Sequence, residues 1–257
     1  MTFDPELYRV VLYAGTEVPF PDELQEEVGY SVVVRPRELS LQVEKATKDH
    51  KSLIVVPAGT GRDLTSVTQA AQALQWAQRF GHKVALAPSL IDATRTIAEL
   101  RRHLRAAVKS HDSVLFVAQT VDPFADAELV RRIRLARQFS EQLLVETTFE
   151  GSWPEPERAK ERLRLLGAEN PAVIRADLGV ESGAVQLFRK GALVTALEEA
   201  TKTAVHRLRD HGDNGVAAGL LADHGQGFAH SHGDEDHSHG HSHSHSHGHS
   251  HGHTHSH

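Results

Sequence analysis

Short apolar runs alternate along this chain with longer segments in which apolar residues recur at helical spacing. This alternation constrains the fold most, because most of the runs are continuously apolar, as parallel strands buried on both faces are. It predicts an α/β protein with open, mostly parallel sheets and right-handed crossovers. We predict strands at residues 9–13, 31–35, 52–57, 83–87, 113–118, 143–148 and 172–176, and helices at 38–49, 64–80, 92–109, 125–139, 155–166 and 184–208.

The strand and helix pattern occurs twice. Each half opens with a strand that runs into a short polar loop, residues 14–17 in the first half and 119–123 in the second. We therefore predict two similar lobes, residues 1–110 and 111–210, each a mostly parallel sheet flanked by helices. Ligands of such sheets bind beyond the carboxyl ends of the strands, often in a cleft between lobes.

Residues 211–257 form a linker and a histidine-rich tail. Residues 229–257 contain no Leu, Ile, Val or aromatic residue, so we predict disorder, since no burial offsets the ordering entropy. Histidine fills every second position from His237 to His257, and neutral imidazole binds Zn, Cu, Ni and Co. The predicted metal ligands are His230, His232, His237, His239, His241, His243, His245, His247, His249, His251, His253, His255 and His257.

Two other interpretations of the tail stay open. An expression tag is usually a short unbroken run of histidines, which this segment is not. A solubility tail that protonates near pH 6.5 is compatible with metal binding. Protons compete with metal for imidazole, so release is expected between about pH 7 and 5.

Composition excludes several classes of function. The formal net charge is -6, which gives no overall basic footprint for nucleic acid. The chain has no cysteine, so disulfides, thiolate metal sites and cysteine nucleophiles are excluded. No apolar run approaches the length that spans a bilayer, and the first residues lack the features of a signal peptide. We therefore expect a cytoplasmic protein without membrane partners.

Several segments of the two predicted lobes resemble the CbiX-type class II chelatases, the sirohydrochlorin cobaltochelatases of cobalamin biosynthesis. A histidine-rich tail also occurs in that family. The segments that carry the resemblance are IVVPAGTGRD (54–63), TQAAQALQW (68–76), KVALAP (83–88), VLFVAQTVDP (114–123), ADAEL (125–129), LVETTF (144–149) with prolines at 154 and 156, and RLRLLGA (162–168).

The resemblance implies a lyase-class enzyme that inserts Co(II) into the tetrapyrrole sirohydrochlorin, with the tail as a metal reservoir. Cobalt is the expected metal, and nickel or zinc are alternatives. The family's first strand runs into a His-Gly-Ser or His-Gly-Thr loop, but this chain has Ala14 at the position of that histidine. The matching loop of the second half, Ala118-Gln119-Thr120, has no histidine either.

Carboxylates near these loops are the candidates to replace the missing histidine as base and transient metal ligand. They are Glu17, Asp122, Glu146 and Glu150. Their convergence in one cleft would favour catalysis, since like charges in one site raise a pKa and create a base. Loop carboxylates are most often turn or N-cap residues, and Asp122 before Pro123 is a plausible cap. The predicted substrate-binding residues are Gly15, Thr16, Arg62, Gln119 and Thr120.

Other conspicuous residues favour structural roles. Asp63 is interpreted as an N-cap, although the helix start at Arg62-Asp63 could also hold an anion. The Gly59-Thr60-Gly61 loop matches no nucleotide-binding motif, so no nucleotide is expected. We interpret the arginines of 131–137 as a solvated helix face, and His50, His82, His103 and His111 as surface residues. His206 and His211 could join the ligands of the tail.

The main alternative to an enzyme is a non-catalytic cobalt or nickel chaperone or store on a degenerate chelatase fold. A periplasmic metal-binding protein is a third possibility, which the absence of signal-peptide features weakens. The oligomeric state stays open.

Overall fold

The computed structural model describes residues 4–138, 143–179 and 184–223. The chain divides into two units, Met1–Gln226 and Gly227–His257, and both sheets lie in the first. The predicted disorder of the tail and its predicted metal ligands, His230 to His257, fall outside the described residues and stay predictions. Within the described ranges, no helix has the length and apolar character that crossing a bilayer requires.

The described structure is α/β, with two four-stranded sheets that are parallel throughout and flanked by helices. This confirms the predicted fold class and the two similar lobes. The first sheet has the order β2-β1-β3-β4, with β1 (Tyr8–Ala14), β2 (Val32–Val33), β3 (Ser52–Ala58) and β4 (Val84–Leu86). The second repeats it as β6-β5-β7-β8, with β5 (Ser113–Gln119), β6 (Leu144–Glu150), β7 (Pro171–Arg175) and β8 (Val185–Gln186).

Eight helices of the described residues accompany the sheets. They are α1 (Pro21–Val28), α2 (Pro36–Lys48), α3 (Leu64–Arg79), α4 (Ala93–Ala107), α5 (Pro123–Arg137), α6 (Pro156–Leu165), α7 (Lys190–His211) and α8 (Val216–Leu220). Asp63, Asp92 and Asp122 cap α3, α4 and α5 by accepting backbone N–H groups of the first turn. The loops after β3, β4 and β5 therefore lead into their helices at fixed residues.

The apolar strands are buried on both faces, as their continuous runs predict. In β1, Leu12 belongs to a buried cluster that contains residues of both sheets, Phe116 of β5 among them. Its neighbour Tyr13 points to the opposite face, into a second cluster under α2, α3 and α8. This two-period alternation leaves no solvent-facing side of β1, and the shared cluster joins the two lobes.

Three elements differ from the prediction. The predicted helix at 184–208 is wrong in its first part, because Val185 and Gln186 pair with β7 as β8 and the helix begins only at Lys190. α1 was not predicted, since it buries only Leu24 and Val28 and its apolar pattern is short. α8, in the predicted linker, packs against α3.

Two side chains interpreted as surface residues are buried. His103 is 7% exposed, on the face of α4 that also buries Leu100 and Leu104, and its Nε2 donates to the Leu187 carbonyl at 3.0 Å. Burial lowers the pKa of His103 and outweighs that hydrogen bond, which raises it. Arg132 is 3% exposed, between Leu129 and Ala136 on the buried face of α5. Helical spacing placed both residues on these faces.

Candidate functional site

A cavity of about 330 Å³ lies beyond the carboxyl end of β1, where the loops of both lobes meet. This is the edge at which open parallel sheets bind ligands. The first lobe contributes the loop after β1, Val34 and the first turns of α3, and the second lobe contributes the segment that leads into α5. The lining residues are Ala14, Gly15, Thr16, Val34, Asp63, Thr65, Ser66, Gln69, Val121 and Asp122.

Asp63 fixes the wall of the cavity formed by the first lobe. Its Oδ2 accepts the Thr16 N–H at 2.9 Å and the Ser66 hydroxyl at 2.5 Å, and its Oδ1 accepts the Ser66 N–H at 3.0 Å. These bonds confirm Asp63 as the N-cap of α3 and tie the β1 loop to that helix. The carboxylate is 6% exposed and fully engaged, so its main role is to shape the wall.

Asp122 stands on the wall formed by the second lobe. Its Oδ1 accepts the N–H groups of Phe124 at 2.8 Å and Ala125 at 2.9 Å, which confirms the N-cap of α5. Both cap bonds use Oδ1, and among the described residues no hydrogen bond engages Oδ2. The residue is half-buried, and of the four candidate catalytic carboxylates it alone lines the cavity.

Behind the cavity, four charged side chains of the two lobes and one threonine form a buried group, which we call the inter-lobe charge cluster: Glu17, Thr60, Arg62, Asp126 and Arg132. Arg62 lies at its centre and is 0% exposed. Its Nε donates to Glu17 Oε1 at 2.9 Å, its Nη1 to Asp126 Oδ1 at 2.8 Å and its Nη2 to the Gln119 carbonyl at 2.8 Å. One guanidinium thus joins the loops that follow β1 and β3 to the end of β5 and the first turn of α5.

The remaining members complete the hydrogen bonding of this cluster. Thr60 donates its N–H to Glu17 Oε2 at 2.8 Å and its hydroxyl to Oε1 at 2.6 Å. Arg132 crosses from the second lobe and donates to the Thr60 carbonyl at 2.7 Å. Arg132 also pairs with Glu128, whose hydrogen bonds to Arg131 and then Arg132 lower the pKa of that carboxyl to about 2.

A second buried cation lies at the end of β7. The Arg175 Nε donates to Asp177 Oδ1 at 2.9 Å, and its Nη2 donates to Glu150 Oε2 at 2.6 Å. Burial acts to lower the pKa of Arg175, but the bond to Glu150 and the charge of Asp177 outweigh it and raise the pKa. Asp177 Oδ2 also accepts the Gln119 N–H at 2.6 Å, which fixes the end of β5.

The structure brings three of the predicted site residues, Gly15, Thr16 and Asp122, to the cavity. Glu17 and Arg62 lie in the inter-lobe charge cluster, and the side chain of Thr120 donates to Asp126 at 2.5 Å. Elsewhere, Glu146 pairs with Arg162 at 3.3 Å, Glu150 pairs with Arg175, and Gln119 Nε2 donates to the Glu150 carbonyl at 3.1 Å. Throughout the described ranges, no group of three or more His, Asp or Glu side chains is arranged to hold a metal ion.

Sequence reasoning missed Asp126, Arg132, Arg175 and Asp177. A signal existed for Arg132, since its helical spacing matches that of the buried apolar residues of α5. Asp126 is 9% exposed in the first turn of α5, where an acidic residue is ordinarily a solvated partner of the helix dipole. Nothing in the local sequence shows that its partner is Arg62 in the other lobe.

Gly15 supports a stability prediction for the cavity. A Cβ at this residue would overlap the Ser66 side chain and the Asp63 carboxylate, which hold the wall together. We expect Gly15→Ala to lower the free energy of unfolding by about 1–3 kcal/mol, as overpacking commonly does. The measurement is urea unfolding followed by circular dichroism. Gly191→Ala is the control, because a Cβ there meets nothing within 4 Å; an equal loss in both variants would contradict the prediction.

Comparison with known proteins gives no match to this chain. No family model, no curated protein and no solved structure matches it.

Proposed function

We propose that the chain is a CbiX-like cobaltochelatase that inserts Co(II) into sirohydrochlorin, with the histidine-rich tail as a reservoir of the metal. The observation that carries the proposal is the cavity at the carboxyl end of β1, lined by two lobes of the same parallel strand order. Two of the segments that carry the resemblance support the proposal further. The segment 54–63 contains Arg62 of the inter-lobe charge cluster, and the segment 114–123 contains Asp122 of the cavity wall.

The reaction needs few protein groups. Co(II) replaces its water ligands with four tetrapyrrole nitrogens, and two pyrrole nitrogens each lose a proton, so that two protons leave for every metal that enters. A carboxylate beside the macrocycle can accept a proton and hold the incoming ion for a moment. Asp122 Oδ2 is suited to this role, while Gly15 and Thr16 would lie against the macrocycle. With Ala14 in place of a histidine, no imidazole is found among the described residues that line the cavity.

A second candidate function is supported by the pairing of the other carboxylates. Glu17, Glu146 and Glu150 each bind an arginine of the fold, so the predicted carboxylates do not gather into a metal site. This arrangement favours a non-catalytic cobalt or nickel chaperone or store, in which the tail binds the metal and the lobes bind a tetrapyrrole or no ligand.

An anaerobic insertion assay separates the two candidates. Sirohydrochlorin and Co(II) are mixed with the full chain or with a chain that ends at Ala229, which keeps every described residue, and the absorbance of the macrocycle is followed. We expect both chains to accelerate insertion above the uncatalysed rate. The full chain should keep its rate at lower total cobalt, because its 13 tail histidines from His230 onward concentrate the ion.

The outcomes are distinct. If neither chain accelerates insertion and only the full chain binds several cobalt ions in equilibrium dialysis, the enzyme proposal fails and the chaperone proposal stands. If the two chains bind equal amounts of cobalt, the reservoir proposal fails. Binding by the full chain that is unchanged between about pH 7 and 5 would also count against ligation by imidazole.

A further inference from the structure

The last turns of α7 carry two histidines and an aspartate, and one of the histidines, His206, contacts the other two residues. The Nδ1 of His206 lies 2.6 Å from Asp210 Oδ2, and the ring centroids of His206 and His211 are 5.2 Å apart, with the ring planes at 82°. The side chains of His206 and Asp210 are 58% and 41% exposed. His211 is exposed as well, so both imidazole rings are open to solvent. They lie next to the C-terminus of α7, which Gly212 caps.

The bond to Asp210 decides which nitrogen of His206 can bind a ligand. When Nδ1 carries the proton and donates it to the carboxylate, Nε2 keeps its lone pair. Histidines that bind metals almost always make such a bond through the other nitrogen, because it fixes the tautomer and the ring orientation and makes the ligand more basic.

The ring separation fits two imidazoles on one ion. Zinc–nitrogen bonds of about 2.0–2.1 Å and a tetrahedral angle place the centroids of two bound imidazole rings about 5 Å apart. The observed centroid distance of 5.2 Å agrees with this spacing. The partial negative charge of a helix C-terminus also favours a cation there.

We propose that His206 and His211 form a two-histidine site for a divalent transition-metal ion, oriented by Asp210. The site takes the imidazole-preferring class of ions, Zn(II), Cu(II), Ni(II) and Co(II), and water fills its remaining positions. It lies on the first unit of the chain and does not depend on the tail or on the proposed chelatase activity. After α7, the Asn214 carbonyl accepts the Leu86 N–H at 2.8 Å, which attaches the exit of the helix to the end of β4.

The test is a zinc titration of the full chain that resolves single histidines. Free Zn(II) is buffered with a chelator, so uptake by the tail does not change its concentration, and the imidazole ¹⁵N resonances are followed by NMR. We expect the resonances of His206 and His211 to shift together, with one midpoint. Asp210→Ala should raise that midpoint about tenfold, as the loss of an orienting partner commonly does.

The variant His211→Asn should move the His206 midpoint further than Asp210→Ala does, because it removes a direct ligand. His111→Asn is the matched control: the Nδ1 of this histidine lies 3.2 Å from the Asn170 carbonyl oxygen, outside α7, so the variant should leave both midpoints unchanged. The proposal is overturned if His206 and His211 titrate with separate midpoints, or if His206 responds to zinc equally with and without His211. Neither outcome bears on the insertion assay, so the two proposals fail separately.

Discussion

Replacing Arg62 with methionine is expected to lower the free energy of unfolding by about 3–5 kcal/mol, because it leaves buried carboxylates without their cation. Glu17 and Arg62 both have fully buried side chains, and Asp126 is 12% exposed. Methionine fills much of the volume but supplies none of the three hydrogen bonds, of which the one to Glu17 lies within the first lobe and those to Asp126 and Gln119 join the lobes. The expected loss is a large part of the 5–15 kcal/mol that is typical of a whole domain.

Urea unfolding measures this loss, and two further variants locate its cause. Arg131→Ala removes an arginine of α5 that pairs with Glu128 on the surface, and it should leave the unfolding midpoint nearly unchanged. Adding Glu17→Gln to Arg62→Met should restore part of the stability, because glutamine can still accept from Thr60 without a buried charge. A double variant no more stable than Arg62→Met would show that the unpaired charge of Glu17 is not the cause.

The fold could be predicted because its signals are local. The continuous apolar runs at 9–13, 52–57 and 113–118 mark strands that are buried on both faces, and β1, β3 and β5 lie there. Asp63 and Asp122 could be recognised as caps, because capping depends only on the next few residues. The edge strand β8 could not be predicted from the sequence. It has only two residues, Val185 and Gln186, and so short a segment carries too little pattern to distinguish it from the helix that follows.

The charges behind the site could not be predicted, because their partners are distant in the chain. Glu17 and Arg62 are separated by 45 residues, and Arg62 and Asp126 by 64. From the sequence, Glu17 was a loop carboxylate free to face a metal and Arg62 a residue for the substrate. In the structure both residues are buried, and their roles differ from those expected. A guanidinium inside the protein requires carboxylate partners, and Glu17 of the first lobe and Asp126 of the second supply them.

Asp122→Asn is the variant with the largest expected effect on the proposed reaction. Asparagine caps a helix about as well as aspartate does, so the Phe124 and Ala125 N–H groups keep their acceptor and α5 keeps its start. The change removes the negative charge and the proton acceptor from the cavity wall. If Asp122 takes the pyrrole proton, the insertion rate should fall about 10²–10⁴-fold, which is the usual contribution of general acid–base catalysis.

Asp92→Asn makes this test specific to the cavity. Asp92 caps α4 by accepting the Arg95 N–H at 2.7 Å, the same structural role as that of Asp122, but it does not line the cavity. Both variants should unfold at the urea concentration of the unaltered chain, and only Asp122→Asn should lose insertion activity. Equal rates in the two variants would show that Asp122 is a cap and nothing more. Because Asp122 is the one candidate carboxylate at the cavity, that result would leave the tail as the chain's main means of handling metal.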